Sequence, residues 1–168
     1  DAFPTAARVF AEVDEALGQN LSKLMWEGPE AELTLTENAQ PALMAVSLAA
    51  MRVLEEKGVS LTRDAAFVAG HSLGEYSALA AANAFSIADA ARLLKIRGRA
   101  MQAAVPVGEG AMAALLGLDF ATAAEVAAEA AQGQVCQAAN DNADGQVVVS
   151  GSKAAVERAV EIAKGRGA

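Results

Sequence analysis

A single cysteine, Cys136, rules out a disulfide within the chain, so nothing covalent staples the fold. A reducing compartment is compatible with that. Aromatic residues supply only 4% of the 168 positions, and one histidine, His71, is present. Positive charge is also scarce: 13 Lys and Arg face 21 Asp and Glu, for a net charge of −8. An acidic surface without basic runs or interleaved aromatics argues against nucleic acid and anionic lipid as partners. No apolar run is long enough to cross a bilayer. The first residues, Asp1-Ala2-Phe3-Pro4, include no Met and no signal-like segment, which points to a natural start upstream. A cytoplasmic monomer is the expectation.

What the chain does have is aliphatic bulk. Apolar residues make up 54% of it, enough for a packed core and too many for disorder. Val9, Phe10, Val13, Ala16 and Leu17 follow a helical period from Thr5 until Gly18. A more apolar helix is predicted from about Gln40 to Lys57, with Pro41 in its first turn and most of its sides buried. Ala65-Ala66-Phe67-Val68-Ala69 reads as a short strand covered on both faces. A helix to about Ala82 follows the next turn, and Ser86-x-x-Asp89, a capping box with the shorter carboxylate, opens another to about Ala104.

Beyond Pro106 the pattern changes. Strand 111–118, helix 121–131, strands 135–139 and 146–150 and helix 152–164 follow in the order β-α-β-β-α. That is a ferredoxin-like unit stopped before its final strand. Two domains are expected, 1–106 and 107–168.

Gly70-x-Ser72-x-Gly74, between a buried strand and a helix, has the context of a nucleophile elbow. A sharp turn pushes the central side chain outward, and glycines on either side remove Cβ atoms that would clash. The backbone N–H of Leu73 then sits at a helix N-terminus, where donors are unsatisfied and the potential is positive. His71 adjoins Ser72, and neighbouring side chains on a sharp turn diverge, so it reads as shaping the elbow and not as the general base. By chance alone, a pattern as short as GxSxG also occurs in proteins without such a site.

In the helix that starts near Ile87, Arg92, Lys95 and Arg99 fall within an arc of roughly 60°, the expected solvated face. Arg97 points to the apolar side, that of Ala90, Leu93, Leu94, Met101 and Ala104. A guanidinium there needs an acidic partner, a path out to solvent, or a ligand carboxylate to clamp.

Gly70-His71-Ser72-Leu73-Gly74-Glu75-Tyr76-Ser77-Ala78-Leu79 resembles the signature of malonyl-CoA:acyl carrier protein transacylases. So do Asn38-Ala39-Gln40-Pro41-Ala42-Leu43, Arg97-Gly98-Arg99-Ala100-Met101-Gln102 and Gly110-Ala111-Met112-Ala113-Ala114. Asn140-x-Asn142-x-x-Gly145-Gln146-Val147-Val148 and Ala155-Val156-Glu157-Arg158-Ala159 complete the match in family order. The resemblance implies an α/β fold: an α/β-hydrolase-like acyltransferase core, here incomplete, with an inserted, incomplete ferredoxin-like subdomain.

It further implies malonyl-CoA as substrate, acyl carrier protein with its phosphopantetheine thiol as partner, and no bound cofactor or metal. Ser72 would be the nucleophile, Leu73 an oxyanion N–H and Arg97 the grip on the malonyl carboxylate. His71, Asn140, Asn142 and Gln146 would border the substrate, the last three on a loop. The family's first strand, its GQGSQ-type loop and its base histidine have no counterpart here, so the chain alone is expected to be inactive. A polyketide synthase acyltransferase domain, a serine esterase and a non-catalytic fragment are the competing readings.

Overall fold

Pro4 suits a helix start, because the first-turn N–H that it lacks would have no intrahelical acceptor. In the computed structural model, which describes residues 2–168, it opens α1 (Pro4–Leu17). Next come α2 (Leu21–Glu27), α3 (Glu30–Leu33), α4 (Thr36–Glu56), α5 (Leu61–Asp64), α6 (Leu73–Ala81) and α7 (Ile87–Ala104). The short helices α2, α3 and α5 carry too few turns for apolar periodicity to reveal them. The chain divides into two compact units, one ending at Ala104 and the other running Val105–Ala168.

The core of the first unit is aliphatic. Val9 and Val13 of α1, Leu21 of α2, Met44, Ala45, Leu48 and Ala49 of α4, and Ala90, Ala91 and Leu94 of α7 are buried together. Alanines along α4 and α7 let the two backbones come close, and Gly98 takes this furthest. A Cβ built there would stand 2.4 Å from the Glu37 Cα. As the sequence indicates, Ser86 heads α7: its Oγ accepts the Asp89 N–H at 3.0 Å and donates to the Asp89 carboxylate at 2.7 Å.

Two expectations fail in this unit. Helix α4 starts at Thr36, not near Gln40, so Pro41 lies inside it; Leu43, Val46 and Leu54 face outward instead of being buried. Residues 65–69 form no strand, and Phe67 is 91% exposed. The physical reason is pairing: a strand is stable only beside another, and among the described residues the first unit contains none.

The strands that give the chain its α/β character lie in the second unit. It comprises β1 (Gly110–Leu116), α8 (Phe120–Ala131), β2 (Cys136–Ala143), β3 (Gln146–Ser152) and α9 (Lys153–Gly165). The sheet runs β1-β3-β2 and is antiparallel throughout, with Val149 opposite Ala113 on one side and Ala138 on the other. Val126, Ala127 and Ala130 of α8 and Ala155, Val156 and Ala159 of α9 bury Leu115, Val147 and Val149. Asp119 caps α8 by accepting the Thr122 N–H at 2.7 Å. Cys136 is a small core residue, and burial pushes its thiol above its ordinary pKa. Among the described residues no helix is long and apolar enough to cross a membrane.

Candidate active site

Ser72 stands at the N-cap of α6 with φ 55° and ψ −114°. A non-glycine residue held in such a sparsely populated region costs on the order of 1–3 kcal/mol and persists only where its surroundings impose it. Gly70 is what makes room for it here. A Cβ at Gly70 would fall 1.9 Å from the Gly74 carbonyl carbon, so only glycine lets the incoming chain cross the first turn of α6. At Gly74 the outcome differs from the sequence expectation: a Cβ there would meet open space. The contact is between the two backbones, and it needs glycine on one side only.

Hydrogen bonds close the turn. The Gly74 N–H donates to the His71 carbonyl at 2.9 Å and the Glu75 N–H to the Ser72 carbonyl at 3.2 Å. The Leu73 N–H, first in α6, belongs to the set that a helix cannot satisfy internally, at its positive end. Ser72 and His71 are both exposed on this turn.

Arg97 arrives from α7, 25 residues away in sequence, and donates through Nη2 to the Ser72 Oγ at 3.0 Å. Its Nη1 donates to the Gln40 Oε1 of α4. Its Cζ lies 5.9 Å from the centroid of the Tyr76 ring, within reach of a cation–π contact. None of these partners is charged, and no ion pair involves Arg97 among the described residues. Of the accounts open to this side chain, the acidic partner is therefore excluded within that set. The guanidinium keeps its charge beside an exposed hydroxyl.

Its neighbours on α7 behave otherwise. Arg92 lies exposed and pairs with Asp89, as a solvated face requires. Lys95, expected on the same face, has a side chain only 12% exposed and is a correction. It donates to Gln19 and Asn38 oxygens, each at 2.8 Å, and pairs with Glu37 at 3.1 Å. Arg99 donates to the same Glu37 carboxylate at 2.9 Å. Hydrogen bonds from Arg99 and then Lys95 hold the Glu37 carboxyl below the usual carboxylate range.

Gln40, Thr36, Tyr76 and Met101 are the site residues that sequence reasoning missed. Thr36 and Gln40 stand one turn apart at the start of α4, a spacing that could have flagged them once the helix start was known. Asn140, Asn142 and Gln146 need a correction of another kind. They do not lie on a loop: the first two are in β2 and Gln146 opens β3. The turn between the strands is only Asp144-Gly145, with Gly145 at φ 69°. A tight turn is short enough for ladder pairing to continue almost to it, which converts expected loop into strand.

Comparison with known proteins places the chain in a family. Residues 2–168 match the family model described as "Acyl transferase domain". The malonyl CoA-acyl carrier protein transacylase of Escherichia coli strain K12 is 49% identical over 166 residues, covering 99% of this chain and 53% of that protein. Its Bacillus subtilis strain 168 counterpart is 50% identical over 166 residues, covering 98% and 51%. The acyl-carrier-protein-S-malonyltransferase structure from Bartonella henselae matches with a TM-score of 0.92 at 58% identity, covering 99% of this chain and 53% of that one. A structure of a type II PKS acyl-carrier protein in complex with its malonyl-transacylase matches at 0.91 and 46%, again covering 99% and 53%. The chain spans about half the length of the relatives it matches.

Proposed function

Because the chain belongs to the acyl transferase domain family, we propose that it serves malonyl transfer from malonyl-CoA to the phosphopantetheine thiol of an acyl carrier protein, in cytoplasmic fatty acid synthesis. In this reading the Ser72 Oγ attacks the thioester carbonyl. A C–O bond forms, the C–S bond breaks, and the hydroxyl proton ends on the departing CoA sulfur. The carrier thiol then attacks the acyl-serine; a new C–S bond forms, the C–O bond breaks, and the thiol proton returns to the Ser72 oxygen. The Leu73 N–H stabilises the oxyanion in both steps, a donor worth about 3–4 kcal/mol in well-studied hydrolases.

One observation carries the proposal: the Arg97 guanidinium lies 3.0 Å from the Ser72 Oγ with only neutral partners. An acyl chain whose carbonyl meets the hydroxyl and whose free carboxylate meets that cation must be short. Malonyl fits, acetyl has no carboxylate to offer, and a longer diacid would overshoot. The carboxylate takes over the Nη2 donor and leaves the Ser72 hydroxyl available for attack. We extend the reading to the fold, with residues 1–106 as part of an α/β-hydrolase-like core and 107–168 as its ferredoxin-like insertion; the β-α-β-β-α order supports the latter.

The test is covalent labelling of the protein as its gene encodes it. Labelled malonyl-CoA is expected to give an adduct on the Ser72 peptide that a holo carrier protein discharges, and Ser72→Ala to give none. An adduct that survives Ser72→Ala would remove the nucleophile assignment, and release to water alone would favour an esterase.

A further inference from the structure

We propose that Gln40 is a positioning residue that sets acid selectivity, because it holds the Arg97 guanidinium without neutralising it. The inference rests on the reading of Ser72 and Arg97 given above. Gln40 is only 4% exposed, a polar side chain in a place where one must have a purpose. Its Nε2 donates to the Thr36 Oγ1 at 2.7 Å and approaches the Met101 Sδ at 3.3 Å. Thr36 is one turn before it on α4, and Met101 is one turn after Arg97 on α7. The amide is thus pinned from both helices, and only its oxygen remains to face the guanidinium. That orientation is obligatory, since a guanidinium can donate but never accept.

Charge is the second half of the argument. Acidic residues outnumber basic ones 21 to 13, and Arg52, Arg63, Arg92, Lys95, Arg99 and Arg166 are all paired with carboxylates. Arg97 meets an amide oxygen, a hydroxyl and a ring face instead. A glutamate at position 40 would be nearly isosteric and would fix the guanidinium as well or better. It would also cancel the charge on which the substrate carboxylate depends. A neutral acceptor fixes Nη1, leaves Nη2 directed at Ser72, and keeps the full positive charge for the ligand.

The experiment compares kcat and KM for malonyl-CoA and acetyl-CoA in the protein as its gene encodes it, for wild type, Gln40→Glu, Gln40→Met and Arg97→Ala. Gln40→Glu is expected to lower malonyl kcat/KM about 10- to 100-fold, the range of one charge-assisted contact, mainly through KM. Acetyl transfer is expected to change less than about three-fold, since that acyl group makes no use of the cation. Gln40→Met, which loosens the guanidinium but leaves its charge, is expected to raise malonyl KM by about 10-fold and guards against a Gln40→Glu variant that fails to fold. A role confined to stability would reduce both substrates alike and leave their ratio unchanged. An unchanged ratio in both Gln40 variants, with a collapsed ratio in Arg97→Ala, would overturn the proposal alone. An unchanged ratio in Arg97→Ala would overturn the reading of the site itself.

Discussion

Gly98 of α7 lies directly on the backbone of Glu37 in α4: a methyl group in place of its hydrogen would come within 2.4 Å of the Glu37 Cα and 2.7 Å of the Thr36 carbonyl oxygen. Two members of the site are neighbours of these residues. Arg97 precedes Gly98, and Gln40 follows Glu37 by three residues on the same helix. Close contact of the two backbones therefore sets the distance across which the guanidinium and the amide meet.

Gly98→Ala tests that contact. Better helix propensity favours alanine by up to about 1 kcal/mol, while overpacking costs about 1–3 kcal/mol, so a net loss of stability is expected. Acylation of Ser72 is expected to fall further than stability alone explains, because Arg97 moves with the helix. Urea unfolding and labelled-malonyl incorporation measure the two effects. An unaltered urea midpoint would mean that the helices part freely.

Glu37 sets a pH dependence whose sign is fixed. Its folded pKa is lowered by Arg99 and Lys95, so its contribution is fully present above the unfolded carboxylate value of about 4.3. That contribution is lost as pH falls through the folded pKa. Asp119, lowered by the Thr122 N–H, acts in the same direction at α8. Stability measured from neutral into the acid range is expected to separate wild type from Glu37→Gln at neutral pH and to bring them together in acid. A gap that widens on acidification would contradict the assignment.

Gly70 and Gly74 flank the same serine and are expected to respond differently to alanine. Gly70→Ala drives a Cβ into the α6 backbone and should abolish acyl-serine formation, with a loss of stability of several kcal/mol. Gly74→Ala points its methyl into open space on a helix, so the thermal midpoint is expected to hold or rise. Circular dichroism melts of both variants decide it, and equal destabilisation would refute the one-sided contact.

The sequence disclosed those features whose cause is local. Val9 and Val13 mark the buried face of α1, Ser86 and Asp89 the start of α7, and the apolar run within 146–150 the strand β3. The turn at Ser72 was legible because Gly-x-Ser-x-Gly is a local device, and the position of Arg97 off the charged arc because helical angles are local too. What depends on distant residues was hidden. Phe67 and Val68 read as buried on composition, yet burial needs a neighbouring layer, which the first unit does not supply to them among the described residues. Lys95 read as solvated because nothing in α7 announces Gln19, Asn38 and Glu37 arriving over it. Gln40 was hidden for the same reason, since its partner Arg97 lies 57 residues away.

Helix α4 opens at Thr36, and its first turns carry Glu37, Asn38 and Gln40. This end does not fray freely, because Asn38 and Gln40 are buried and Glu37 pairs with both Lys95 and Arg99. Conditions that loosen those contacts would slacken the hold on the guanidinium while most of the helix stayed intact. On the proposed reading, discrimination between acyl groups would then fail before the fold does, and errors in substrate choice would be an early sign of thermal stress.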